Sequence, residues 1–246
     1  MKLQALILAA GEGRRMRSTL PKVLHPVGGV PMVLRVVEIA RHAGAERPIV
    51  VLGHGRDQVG PALAGHGVEV VVQEEQLGTG HAVSMAKELL GAAGGEVLIL
   101  SGDVPLTRAS TLVSFVADHR LGERVATVMT AHFDEPGSLG RIVRDARGDL
   151  AAIVETRDAG PAELAIREVN GGIYVFEVPA LLHALSALGR NNAQGQFYLT
   201  DTIGILRGEG RRVGAWIVPD SAEILGVNTP EELEAAEWTL TARGDG

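Results

Sequence analysis

A chain of 246 residues, 46% hydrophobic and 22% charged with a formal net charge of -7, is long enough for one large α/β domain with a substantial core. Its acidic balance and an aromatic content of only 3% argue against a partner nucleic acid, which needs an extended basic face and stacking rings. The lack of cysteine excludes disulfides, thiolate metal sites and cysteine nucleophiles and fits a reducing cytoplasm, and no apolar run approaches the roughly 20 residues that span a membrane.

Leu3 to Ala10 is almost continuously apolar, the pattern of a strand buried on both faces of a parallel sheet. It is not read as a signal peptide, because one lysine precedes it and the cleavage zone would be a glycine turn. In that turn Gly11 and Gly13 free the backbone to bend sharply and present N–H groups to an anion. From Gly13 to Val37 the chain carries Arg14, Arg15, Arg17, Lys22 and Arg35 and no acidic residue, which predicts an anionic ligand. The turn lacks the GK[ST] ending of a Walker A loop, and Met16 stands where a dinucleotide fingerprint has its third glycine.

Further along, Pro31 opens a predicted helix with Met32, Val33, Val36, Val37 and Ala40 at helical spacing, stopped by Gly44. Pro48–Leu52 and Val68–Val72 read as buried strands, the second placing Gln73 at its carboxyl end, where open α/β sheets bind ligands. The segment from Gln73 to Ala82 turns through Gly78 and Gly80 into a helix predicted to run to about Leu90. On local chemistry alone Thr79 reads equally as a helix cap. Glu96–Leu100 is the next strand, ending in Ser101-Gly102-Asp103-Val104-Pro105. Asp103 is placed to hold a hard cation, although the same residue serves as well as a turn aspartate.

Arg108–Arg120 is helical in pattern and Val125–Ala131 a strand. Arg141–Asp145 and Leu150–Glu155 then flank a turn and predict a β-hairpin, with Glu155 either a solvated hairpin end or a ligand. After a helix over Val178–Leu188 and a polar loop, short strands are predicted at Val213–Val218 and Glu223–Val227, the latter delivering Asn228. From Pro230 an acidic amphipathic helix carries Leu233, Ala236 and Leu240 on one stripe. No histidine pair has metal-ligand spacing.

Leu8, Ala9, Ala10, Gly11, Gly13, Arg15, Met16, Pro21 and Lys22 resemble the LAAGxGxRM…PK signature of sugar-phosphate nucleotidyltransferases. QxxxxGTGHA from Gln73, GDVPL around Asp103, LGRIV, IVE, EVNGGIY and NNAQG narrow the resemblance to the N-acetylglucosamine-1-phosphate uridylyltransferases, along nearly the whole chain. It implies a Rossmann-like, GT-A-like α/β fold: a mixed, mostly parallel sheet with helices on both faces, a hairpin excursion and no left-handed β-helix. Residues 1–229 would form the nucleotidyltransferase domain and 230–246 a C-terminal helix or linker stub.

The same resemblance implies Mg2+-dependent uridylyl transfer from UTP to N-acetylglucosamine-1-phosphate. Arg15 and Lys22 would face the triphosphate, with Leu8, Ala10, Gly11 and Gly13 around the nucleotide and Gln73, Gly78 and Thr79 at the uracil. Gly140, Glu155 and Asn170 would hold the sugar, and Asp103 and Asn228 the metal, Asn228 lying also against substrate. The chain departs from the pattern at Ser101, where some relatives carry an aromatic residue, and at Gln196, which replaces the usual acid. Acetyl transfer is not expected, and the assembly expected is a monomer or weak dimer. The alternatives are a related transferase with another nucleotide or sugar, or a non-catalytic nucleotide-sugar binding module.

Overall fold

The computed structural model describes residues 1–244, so Asp245 and Gly246, the end of the predicted stub, lie outside the described residues. The first strand, β1 (Leu3–Ala9), sends alternate side chains to opposite faces. Ala5, Ile7 and Ala9 enter one buried cluster, while Leu6 joins the other. A short hairpin follows, β2 (Pro26–Val27) and β3 (Val30–Pro31), turned by Gly28 and Gly29 at φ +61° and +72°. Helix α1 (Met32–His42) packs Val33, Val36, Val37 and Ala40 into the first cluster, and Gly44 ends it as expected.

After β4 (Ile49–Leu52), α2 (Arg56–Leu63) and β5 (Glu69–Val72), the helix predicted to run unbroken to Leu90 divides into α3 (Thr79–Ser84) and α4 (Lys87–Ala93). The break at Met85 and Ala86 lets Ala82, Val83, Ala86 and Leu90 all pack into the second cluster. The strand β6 (Glu96–Ser101), α5 (Ala109–Leu121) and β7 (Ala126–His132) come next, and the predicted hairpin is present as β8 (Arg141–Arg144) and β9 (Leu150–Val154).

The short helix α6 (Pro161–Leu164) leads into β10 (Glu168–Glu177), α7 (Val178–Ser186), α8 (Asp201–Gly208) and β11 (Val213–Ile217). The strand expected over Glu223–Val227 is not formed. Ser221–Ile224 is a 3-10 turn capped by Asp220, whose side chain accepts the Ala222 N–H. Glu223 in that turn is buried, its carboxylate accepting the Arg108 backbone N–H at 2.8 Å and the Thr111 hydroxyl at 3.0 Å, while Val227 N–H donates to Asp103 O rather than to a neighbouring strand.

Nine strands make one sheet whose main path runs β11-β7-β10-β6-β1-β4-β5. The β1, β4, β5 and β6 strands are mutually parallel neighbours, β11 is parallel to β7, and β10 enters antiparallel between β6 and β7. Helices α1 and α5 cover one face of the sheet; α3, α4, α7 and α8 cover the other. The last helix, α9 (Pro230–Arg243), begins with a capping box in which the Thr229 hydroxyl and the Glu232 carboxylate each accept the other's backbone N–H. It folds back, burying Ala236 and Leu240 against Met16, Val27 and Met32. Its Glu237 accepts from Gly28 N–H, and Arg243 donates to Leu106 O and Asp220. Among the described residues no helix is long and apolar enough to cross a membrane.

Candidate active site

The parallel strands β1, β4, β5 and β6 deliver their carboxyl ends to one edge, and a cleft of about 300 Å³ opens there. It is lined by Leu8, Ala10, Gly11, Lys22, Gln73, Gly78, Thr79 and Asp103, eight of the residues predicted from sequence. A larger cavity of about 740 Å³ lies at the opposite end of the sheet, along Leu3, Ile49, Val113 and Arg120. Size does not choose between them. The catalytically suited groups converge on the smaller one.

Gly13 sits at φ +64°, and a Cβ there would stand 2.5 Å from Lys22 Cβ, so only glycine lets the turn close onto that lysine. Lys22 is thereby directed inward, its ammonium bonded to the Asp103 carboxylate and, at 3.0 Å, to Asn228 Oδ1. The two acceptors come from chain segments brought together by backbone pairing, since Val227 N–H donates to Asp103 O at 2.9 Å. Gly226 lies beside both, where a Cβ would make ordinary contact at 3.6 Å from Asp103 Oδ2 and 3.5 Å from Asn228 Nδ2. A carboxylate and a carboxamide oxygen thus meet around one cationic atom. Such a pair of hard donors fits Mg2+, which is held by one or two carboxylates together with substrate phosphates rather than by an all-protein cage. Among the described residues no cluster of three or more His, Cys, Asp or Glu is placed to hold an ion alone.

The segment predicted to meet the base is rigidly supported. Gly78, at φ +110°, would drive a Cβ into Phe197 O at 2.5 Å. Phe197 N–H bonds Leu77 O at 2.8 Å, and Gly80 N–H bonds Phe197 O at the same distance. The Thr79 hydroxyl accepts the Leu199 N–H at 3.0 Å, so its oxygen ties the polar loop before α8 to the mouth of the cleft. Gln73 is 2% exposed; its amide nitrogen lies 3.0 Å from both Gly78 O and His81 Nδ1.

A second group of predicted residues lies against β10. Gly140 O accepts Asn170 N–H at 2.8 Å, and a Cβ on Gly140 would touch Asn170 and the Glu155 carboxyl at 3.6 Å. Asn170 Oδ1 is occupied by Gly172 N–H and the Tyr174 hydroxyl, which leaves its amide hydrogens as the groups available to a ligand. Glu155 accepts from the Thr200 hydroxyl at 3.2 Å. Burial holds its carboxyl above the usual range, aided by Asp201 and Asp158 and opposed by the Thr200 bond. The register of β10 breaks between Asn170 and Tyr174, and there Gly172 approaches Ser101 at the end of β6, joining this group to the metal-suited pair.

Of the predicted residues, Gly13, Arg15, Gly140, Glu155, Asn170 and Asn228 do not line the cleft, and Arg15 stands exposed in the 3-10 turn Arg14–Met16. Gln76 and Gln196, which the sequence reading did not single out as site residues, do line it. Gln196 becomes legible only through the Phe197–Leu77 pairing, a contact of high sequence separation.

Residues 5–170 match the MobA-like NTP transferase domain. The chain is 46% identical over 243 residues to the bifunctional protein GlmU of an Exiguobacterium species, covering 99% of this chain and 54% of that protein. It is likewise 46% identical to the bifunctional protein GlmU of Caldanaerobacter subterraneus, covering 98% and 52%. The chain thus spans about half the length of the curated relatives it matches. The crystal structure of a UDP-glucose pyrophosphorylase complexed with UDP-glucose superimposes with a TM-score of 0.78 at 19% identity, covering 99% of this chain and all of that one, a likeness of fold.

Proposed function

Because this chain belongs to the MobA-like NTP transferase domain family, we propose that it transfers a uridylyl group from UTP to N-acetylglucosamine-1-phosphate, releasing pyrophosphate. The observation that carries this reading is the meeting of Lys22 and Asp103, which line the cleft with Gln73, and of Asn228, whose Oδ1 accepts from the same Lys22 ammonium. The choice of uridine and of this sugar follows the relatives, whose sequences match along almost the full chain.

The acceptor is a phosphate monoester with a second pKa of about 6, already largely ionised at neutral pH, so no protein base is required. The protein's tasks are alignment and charge neutralisation. Asp103 and Asn228 would hold Mg2+, which when bound would supply positive charge that neutralises the reacting phosphates. Lys22, drawn off its two oxygen partners, brings an ammonium to the triphosphate, while backbone N–H groups of the Gly11–Gly13 turn face the same anion. Arg15 acts from its exposed turn and closes over the phosphates once they are present. Leu8 and Ala10 form the floor. Gly140, the amide hydrogens of Asn170 and the Glu155 carboxylate receive the sugar, where a carboxylate accepts from hydroxyls and an amide donates to a carbonyl.

The reaction belongs in the cytoplasm, where UTP and sugar phosphates are found together, and its product would feed cell-wall peptidoglycan synthesis. Mg2+-dependent pyrophosphate release from UTP and N-acetylglucosamine-1-phosphate, lost in Asp103→Ala, tests the reading. Release that persists in that variant at more than about a tenth of the wild-type rate would refute the metal role of Asp103, since one lost transition-state contact costs about 10²-fold.

A further inference from the structure

The amide of Gln73 can sit in two orientations, and its neighbours permit one. Gly78 O, 3.0 Å away, is a carbonyl and can only accept, so the atom facing it is the nitrogen. The same nitrogen lies 3.0 Å from His81 Nδ1. Both of its hydrogens are therefore committed inward, and His81 must carry its own proton on Nε2 so that Nδ1 can accept. Turning the amide over would set Gln73 Oε1 against the Gly78 carbonyl, two acceptors with no hydrogen between them, and His81 could then keep its contact only by moving its proton to Nδ1. Gln73 Oε1 has no donor among the described residues, is not among their fully buried unpartnered atoms, and belongs to a residue lining the cleft. It is the acceptor the protein presents there.

We infer that His81 is the positioning residue for base selection: it locks Gln73 with its carbonyl toward the base, so that the site accepts a pyrimidine with a donor at N3, as uracil has, and rejects cytosine, whose N3 is an acceptor. The inference rests on reading the cleft as a nucleoside triphosphate site for uridylyl transfer. His81 is held in place through its own helix, since its carbonyl accepts the Ser84 hydroxyl at 2.7 Å, and its ring packs 6.4 Å from that of Phe197. With His81→Phe one amide hydrogen loses its acceptor, and the orientation then depends on Gly78 alone.

The measurement is kcat/KM for UTP and for CTP in wild type and His81→Phe, with N3-methyl-UTP as a third substrate for the wild type. The wild type should prefer UTP and use N3-methyl-UTP at least about 100-fold less well, because a methyl replaces the donor that Oε1 requires. His81→Phe should lower the UTP/CTP ratio about tenfold, the weight of one neutral hydrogen bond, mainly through KM for UTP. The ¹⁵N resonances of the wild-type imidazole should report the Nε2–H form. A wild type with no preference for UTP would overturn the uridylyl-transfer reading and this inference with it. Preference for UTP with an unchanged ratio in His81→Phe, ready use of N3-methyl-UTP, or an Nδ1–H imidazole would leave that reading standing and overturn the role of His81 alone. The substrate analogue and the tautomer keep the inference exposed to refutation even if the variant fails to fold.

Discussion

Lys22 Nζ and Asn228 Oδ1, separated by 206 positions in the chain, lie 3.0 Å apart, with the Asp103 carboxylate on the same ammonium. The two oxygens proposed to hold Mg2+ therefore already share a cation belonging to the protein. A divalent ion entering between them must displace that ammonium or add to it against like charge.

Replacing Lys22 should consequently separate metal affinity from activity. Lys22→Met removes the competing ammonium, and Mn2+ in the absence of nucleotide should bind about tenfold tighter or better, while turnover falls about 10²-fold for want of a positive charge at the phosphates. Electron paramagnetic resonance of free Mn2+ reads the first and pyrophosphate release the second. Equal or weaker Mn2+ binding in the variant would show that Lys22 does not hold the metal position.

Glu223 lies under this arrangement at 1% exposure, joining the Asp103 loop to the Asn228 loop. Glu223→Ala leaves the Arg108 N–H and the Thr111 hydroxyl without their acceptor, which should cost roughly 1–3 kcal/mol in urea unfolding. If stability is unchanged, the two loops are held together by backbone pairing alone.

Glu155 supplies a pH dependence. Burial raises the pKa of its carboxyl in the folded protein above the ordinary glutamate range, so the folded protein binds that proton more tightly than the unfolded chain. The associated stability is complete below the unfolded pKa and is lost as pH rises through the folded one. Glu155→Gln abolishes this loss. The variant should gain more in Tm at pH 7 than at pH 4 while losing activity. An equal gain at both values, measured by scanning calorimetry, would mean that the carboxylate is not held against its charge.

The helix α9 is the remaining test of architecture. Fully burying a leucine contributes about 1.5–3 kcal/mol, and α9 brings Leu240 to 3% exposure over Gly28. A Cβ at Gly28 would meet Leu240 Cδ2 at 2.5 Å, with φ at +61° besides. Both Gly28→Ala and a chain ending at Thr229 should unfold at lower urea than the parent. A chain ending at Thr229 with unchanged stability would make α9 an appendage.

Most of the parallel half of the sheet was legible because its strands are short apolar runs punctuated by glycine and proline, as at Leu3–Ala10 before Gly11 and Pro48–Leu52 before Gly53. The hairpin of β8 and β9 was legible from its turn. Glu223–Val227 misled: Ile224 and Val227 are buried but Leu225 is exposed, about a 3-10 turn capped by Asp220, and Glu223 is buried on Arg108 and Thr111, over 110 positions earlier in the chain. The antiparallel insertion of β10 was also hidden, because Gly171 and Gly172 interrupt its pattern where the register breaks. Among site residues, those at strand ends, such as Gln73 and Asp103, carry a local signal. The orientation of the Gln73 amide and the capture of Lys22 by Asn228 carry none, because each is set by a partner that folding brings to it.

The most direct measurement is a matrix of assays in which the protein is incubated with Mg2+, each of the four nucleoside triphosphates, and either N-acetylglucosamine-1-phosphate or glucose-1-phosphate, with pyrophosphate counted in every well. The account predicts that UTP with N-acetylglucosamine-1-phosphate releases pyrophosphate fastest, and that release vanishes when Mg2+ is chelated. Faster release with another pair, or none with any, would contradict it.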